Sequence, residues 1–165
     1  MSNGINNLVR EVSPKSLFES AIDLIDATST WLQGDLLIRD PATYLLRKPA
    51  SEAECTDFCG IAVQTIVDGK APSPVQGTMV DAAEGNDDIK GPVYGCIFSL
   101  ILKTGDALNP GDVVYADPAS GSRNVSATGT KAIGVYQGAA IASATAGQEI
   151  LVLVGARAPS DALIF

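Results

Sequence analysis

Apolar and polar positions along the chain change rhythm near Trp31. Beyond it, short apolar runs alternate with clusters of Gly, Pro, Asn and Asp, predicting strands near 34–39, 43–48, 58–67, 76–80, 92–102, 112–116, 131–138 and 148–154. Turn signals separate them, among them Asp40-Pro41, Asp68-Gly69, Asn109-Pro110-Gly111 and Asp117-Pro118. This cadence fits a small β-barrel or β-sandwich, not alternating β and α units. Upstream, residues 1–12 read as an extended arm carrying Ile5, Leu8, Val9 and Val12. Ser16 to Glu19 has capping-box spacing, and Leu17, Phe18, Ala21, Ile22 and Ile25 follow at helical intervals. One short helix is expected there, with a strand through Ala21–Ile25 as the alternative. The chain therefore divides into an arm and helix over 1–30 and a β domain over 31–165.

One phrase occurs twice. Gly34-Asp35-Leu36-Leu37-Ile38-Arg39-Asp40-Pro41 returns as Gly111-Asp112-Val113-Val114-Tyr115-Ala116-Asp117-Pro118. A second phrase follows each, Cys59-Gly60-Ile61-Ala62-Val63-Gln64 and Ala132-Ile133-Gly134-Val135-Tyr136-Gln137, with the glycines one position out of step when the glutamines are aligned. An internal strand–turn–strand repeat predicts related halves, in which the repeated residues build scaffold. Glycine and aspartate enter the strand through a turn, and Asp-Pro ends it because proline cannot donate to a ladder.

Gln148 to Val154 is apolar on both alternating faces after its first two residues, so coverage on both sides is expected. Leu163, Ile164 and Phe165 make an apolar terminus, for which docking on its own domain and docking on a neighbour fit equally.

Composition narrows the function. Apolar residues make up 46% and charged ones 18%, below the roughly 25% of ordinary soluble domains, which predicts surface covered by another chain. The net charge of −8 comes with scattered Lys and Arg, which argues against direct nucleic-acid or acidic-membrane binding. No run of about 18 apolar residues exists to span a bilayer. The N-terminus lacks the basic-then-apolar order of a signal peptide, so synthesis in the cytosol is expected. Cys55, Cys59 and Cys96 read as reduced, packed thiols.

The chain has no histidine, which removes Ser-His-Asp and Cys-His relays and His-ligated metals. Asp81, Glu84, Asp87 and Asp88 share a Gly/Asn loop whose spacing is not that of an EF-hand; a solvated loop and a calcium loop both fit over 81–88. No catalytic constellation, metal site or cofactor is predicted, and the expected role is not enzymatic.

From Gly91 to Val154 runs an ordered series: Thr104-Gly105-Asp106, Asn109-Pro110-Gly111-Asp112-Val113-Val114-Tyr115, Lys131-Ala132-Ile133-Gly134-Val135, and Ala146-Gly147-Gln148-Glu149-Ile150. This series is similar to decoration (cement) proteins of tailed-bacteriophage capsids. The resemblance implies a β-rich virion protein on the outer capsid surface that bridges major capsid protein subunits and stabilises the shell. It also implies a homo-oligomer, a trimer first and a dimer second. Ile5, Leu8, Val9, Leu17, Phe18, Leu163, Ile164 and Phe165 are the expected contacts with shell or sister copies. A head-fibre or receptor- and carbohydrate-binding β module is the alternative.

Overall fold

The computed structural model describes residues 8–16, 24–72, 79–81, 90–157 and 163–165. The fold is mainly β. Its strands are β1 (Leu8–Ser16), β2 (Leu36–Arg39), β3 (Leu46–Arg47), β4 (Phe58–Ile61), β5 (Lys70–Pro72), β6 (Met79–Asp81) and β7 (Val93–Leu102). There follow β8 (Val113–Ala116), β9 (Asn124–Ser126), β10 (Ala132–Tyr136), β11 (Glu149–Val154), β12 (Ala156–Arg157) and β13 (Leu163–Ile164).

Five strands close into a barrel in the order β7-β11-β10-β8-β9 and back to β7. Every neighbouring pair is antiparallel except β9 with β7, which run parallel at Ile101↔Asn124 and Leu102↔Val125. Closure removes the open edges that would template aggregation. Alternate residues fill the interior: Cys96, Phe98, Leu100 and Leu102 from β7, and Ile150, Val152 and Val154 from β11. Leu151 and Leu153 on the outer face of β11 are half-buried, so that face is less covered than its composition predicts.

The repeat is a structural duplication. In the first unit β2 is flanked by β3 and β4; in the second β8 is flanked by β9 and β10. Asp35 Oδ2 accepts from the Leu32 amide at 2.8 Å, and Asp112 Oδ2 accepts from the Asn109 amide at 2.7 Å. The carbonyl of Asp35 accepts from Ala62 N–H and that of Asp112 from Tyr136 N–H, both at 2.9 Å. Leu37 stands opposite Gly60 and Val114 opposite Gly134, with a bulge beside each glycine. The glycines are thus in step, and the gap between phrases is three residues shorter in the second unit (60 − 34 = 26 against 134 − 111 = 23). Each glycine lets a fourth strand approach. A Cβ would lie 2.5 Å from Val93 O at Gly60 and 2.5 Å from Leu153 O at Gly134. β7 is therefore to the first unit what β11 is to the second, and it serves the barrel as well.

Burial explains how the two copies diverged. In the first unit Leu36 and Ile38 join the barrel core while Leu37 faces a second cluster with Ile25, Trp31, Cys59 and Ile66. A strand between two cores needs apolar residues on both faces. In the second unit Val114 and Ala116 point inward while Val113 is 40% exposed. Two carboxylates of the first unit hold loops of the second. Asp35, 2% exposed, accepts from Ser122 Oγ at 2.7 Å, and Glu52 accepts from the amides of Thr130 and Lys131.

The arm extends further than expected. Leu8–Ser16 pairs antiparallel with β7, from Leu8↔Phe98 to Ser16↔Val93, with two register shifts. Ser16 ends this strand; the expected helix otherwise falls largely on 17–23, outside the described residues. A 3-10 helix, Glu52–Asp57, stands between strands where no helix was expected.

Candidate interaction surface

The duplication supplies an internal comparison. Features present in both units, the Gly-Asp turn and the glycine bulge, make the fold. Features confined to one unit are free of that duty. Alongside them lies a cleft of about 420 Å³ between the 26–30 turn and the β2–β3 hairpin of the first unit.

On one wall Asp26 closes a turn. Its Oδ1 accepts from the Thr28 amide at 2.8 Å and from Thr28 Oγ1 at 2.6 Å. The Thr28 hydroxyl and amide hold the Asp26 carboxyl below its ordinary range. On the other wall Asp40 accepts from the amides of Ala42 and Thr43 and from Arg47 Nε at 2.6 Å. The Arg47 hydrogen bond, then the two amides, pull its pKa down to about 2. Arg47 Nη1 also donates to Glu54 Oε2 at 2.8 Å, which lowers the Glu54 pKa and raises that of Arg47. One guanidinium is thereby clamped between two carboxylates, a geometry lysine could not reproduce. Lys48 also lines the cleft, its Nζ 3.9 Å from buried Asp35.

In the β2–β3 hairpin, Tyr44 lies in sequence between the lining residues Thr43 and Leu45 and does not itself line the cleft. It is 62% exposed and adopts φ +62°, a left-handed conformation that tyrosine rarely takes. Its amide donates to Asp40 O at 2.8 Å, and the Arg39 guanidinium carbon lies 5.3 Å from its ring centroid. The hairpin holds the ring out in solvent with a cation against it.

No family model matches the chain, and no curated protein matches it.

The contacts expected from sequence are spread over the molecule. Leu8 and Val9 lie in β1 on the edge of β7, while Ile5, Leu17 and Phe18 fall outside the described residues. Leu163 and Ile164 form β13, paired with Arg157 and Ala156 of β12. β12 packs on β4 and β13 on β10, so the terminal hairpin lies against the bulged strand of each unit. Phe165 is 38% exposed. All three cysteines are free thiols and buried, and burial pushes Cys59 up to about 11. Among the described residues no three acidic or thiol side chains gather as metal ligands; of the acidic loop only Asp81 is described. The cleft is not legible in the sequence, where Asp40-Pro41 reads as a strand terminator and Arg47-Lys48 as dispersed charge. The available signal was asymmetry between the repeats: Asp40 has a basic pair seven and eight positions on, and Asp117 has none.

Proposed function

We propose that the protein is a structural component of a tailed-bacteriophage head, bound to the outer shell and bridging major capsid protein subunits. One observation carries this reading. The segment similar to decoration proteins, residues 91–154, coincides with the run from β7 to β11 and contains all five barrel strands. The resemblance thus covers one self-closing unit rather than scattered turns. The first unit, the arm and the terminal hairpin are additions around that barrel, and they supply surface for attachment to shell or sister copies. A net charge of −8 suits the outer face of a shell rather than its DNA-lined interior.

The test is multi-angle light scattering on the purified protein, alone and mixed with empty heads. A discrete trimer or dimer, or co-elution with heads at fixed stoichiometry, supports decoration. Deleting residues 1–12 or 163–165 is expected to weaken attachment and leave the barrel folded. A monomer that ignores heads refutes the proposal. The alternative, a carbohydrate-binding head-fibre module, is favoured by Tyr44, an exposed aromatic on the β2–β3 hairpin.

A further inference from the structure

We infer that β1 is an exchangeable strand: the edge of β7 from Val93 to Phe98 accepts residues 8–16 of a second copy of this chain in place of its own. The inference goes beyond head attachment and does not depend on it, since the partner is the same protein.

The two edges of β7 carry the argument. One edge pairs with β4 at Val93 and with β11 from Ile97 to Ile101. The other pairs with β9 only at Ile101 and Leu102, and β1 fills it from Val93 to Phe98. Among the described residues no other strand pairs along that stretch. Without β1 it is an open row of backbone donors and acceptors, a template that an added strand completes. The barrel nevertheless closes without β1, because β9 already joins β7 to β8. The edge therefore takes a strand that the barrel's own order does not include.

β1 is built to leave. Its packing is chiefly on β7. Its register shifts twice, between Leu8 and Arg10 and between Glu11 and Lys15, and Pro14 has no N–H to give a ladder. Interrupted pairing of this kind makes detachment less costly. An arm from a second copy makes the same bonds on the same edge, so exchange conserves them and the outcome turns on concentration and on closure of the oligomer. Charge points to a second copy as donor. Arg10 and Lys15 against Glu11 give positions 1–16 a net charge of +1, so the rest of the chain carries −9 (−8 − 1). The arm is thus the basic part of an acidic chain, attracted to another copy whose body would repel its own kind. Positions 17–23 separate Ser16 from Leu24, a length that reaches up to roughly 25 Å when extended.

The experiment is disulfide trapping in the full chain. Arg10 and Ile97 are register partners, and such partners in an antiparallel pair have Cα atoms roughly 4.5–5.5 Å apart, within disulfide reach. Chains bearing Arg10→Cys alone and Ile97→Cys alone, one of them tagged, are refolded together from urea and oxidised with oxidised glutathione. A covalent heterodimer is expected on a non-reducing gel, at least about tenfold above that from Arg10→Cys mixed with Val113→Cys, which reports chance collision on the barrel's outer face. The double variant Arg10→Cys/Ile97→Cys shows whether β1 and β7 pair at all, and melting midpoints show whether each variant folds. Lys15→Cys with Tyr94→Cys repeats the test at a second register pair. Cross-linking of the double variants within one chain only, with no heterodimer above the collision control, makes the arm a fixed part of its own domain and overturns the inference. Failure of both double variants to cross-link overturns it too, by removing the pairing. Neither result bears on co-elution with heads.

Discussion

Gly60→Ala puts a methyl carbon 2.5 Å from the carbonyl oxygen of Val93 and 2.9 Å from its carbonyl carbon, both backbone atoms of β7. Backbone cannot rotate aside as a side chain can, so β4 and β7 must separate. Overpacking of this kind costs about 1–3 kcal/mol. The φ of +136° at Gly60 adds strain of roughly 1–3 kcal/mol for any L residue. Together these make about 2–6 kcal/mol, a large share of the roughly 5–15 kcal/mol that stabilises a typical domain. Gly134→Ala meets Leu153 O at 2.5 Å, but its φ is not positive, so only the overlap of about 1–3 kcal/mol applies. Gly147→Ala isolates the other contribution, with φ +71° and nothing within 4 Å of the new carbon; roughly 1–2 kcal/mol is expected. Urea unfolding followed by fluorescence of buried Trp31 measures all three. The expected order of destabilisation is Gly60 first, with Gly134 and Gly147 smaller. A Gly60→Ala protein no less stable than Gly147→Ala would refute the close approach of β7 to β4 at Gly60.

Asp35→Ala strands the Leu32 amide and the Ser122 hydroxyl in a buried place and is expected to cost about 2–4 kcal/mol by urea unfolding. Asp112→Ala, at a half-buried position with one such bond, is expected to cost about 1 kcal/mol; equal losses would mean that Asp35 does not join the units. Because the folded Asp40 carboxyl sits at about 2 against an ordinary 3.8, its ion pair stabilises the protein above that ordinary value. That stabilisation is lost as pH falls toward 2, so wild type and Asp40→Asn should converge in melting temperature across that window; parallel curves would show that the pair contributes nothing. Burial holds Cys59 protonated near neutral pH, and all three thiols are enclosed. Ellman's reagent is accordingly expected to label none in native protein at pH 8 and three after unfolding, and rapid native labelling would contradict the packing.

Strands whose apolar residues alternate or run together were legible in the sequence: β4, β7, β10 and β11 all lie within the expected spans. β9 was not, because Asn124-Val125-Ser126 carries one apolar side chain and becomes a strand only through β7 and β8 on its two sides. Its pairing closes the barrel, so the choice between barrel and sandwich rested on a segment with no local signal. The duplication was legible, but its register was not. Aligning the glutamines displaced Gly60 from Gly134, whereas the physical constraint is the close backbone approach that only glycine permits. The cleft lies where local patterns say least, since it forms between a turn and a hairpin that approach only in the fold. Tyr44 was a neutral residue in the sequence and became informative through its backbone angle.

β7 has a consequence for the order in which the protein is made. A ribosome releases the amino-terminal half first, and that half holds Leu36, Leu37, Ile38, Phe58 and Ile61 but not the strand that shelters β4. Until Val93–Leu102 emerges, the older half of the chain has an unpaired sheet edge and half a core. The younger half contains every strand of its barrel. The first unit can therefore close only once Val93–Leu102 has emerged, and the barrel only after Glu149–Val154 has followed. Stalled chains ending at residue 91 should be digested readily by protease, whereas a fragment over 90–157 should resist.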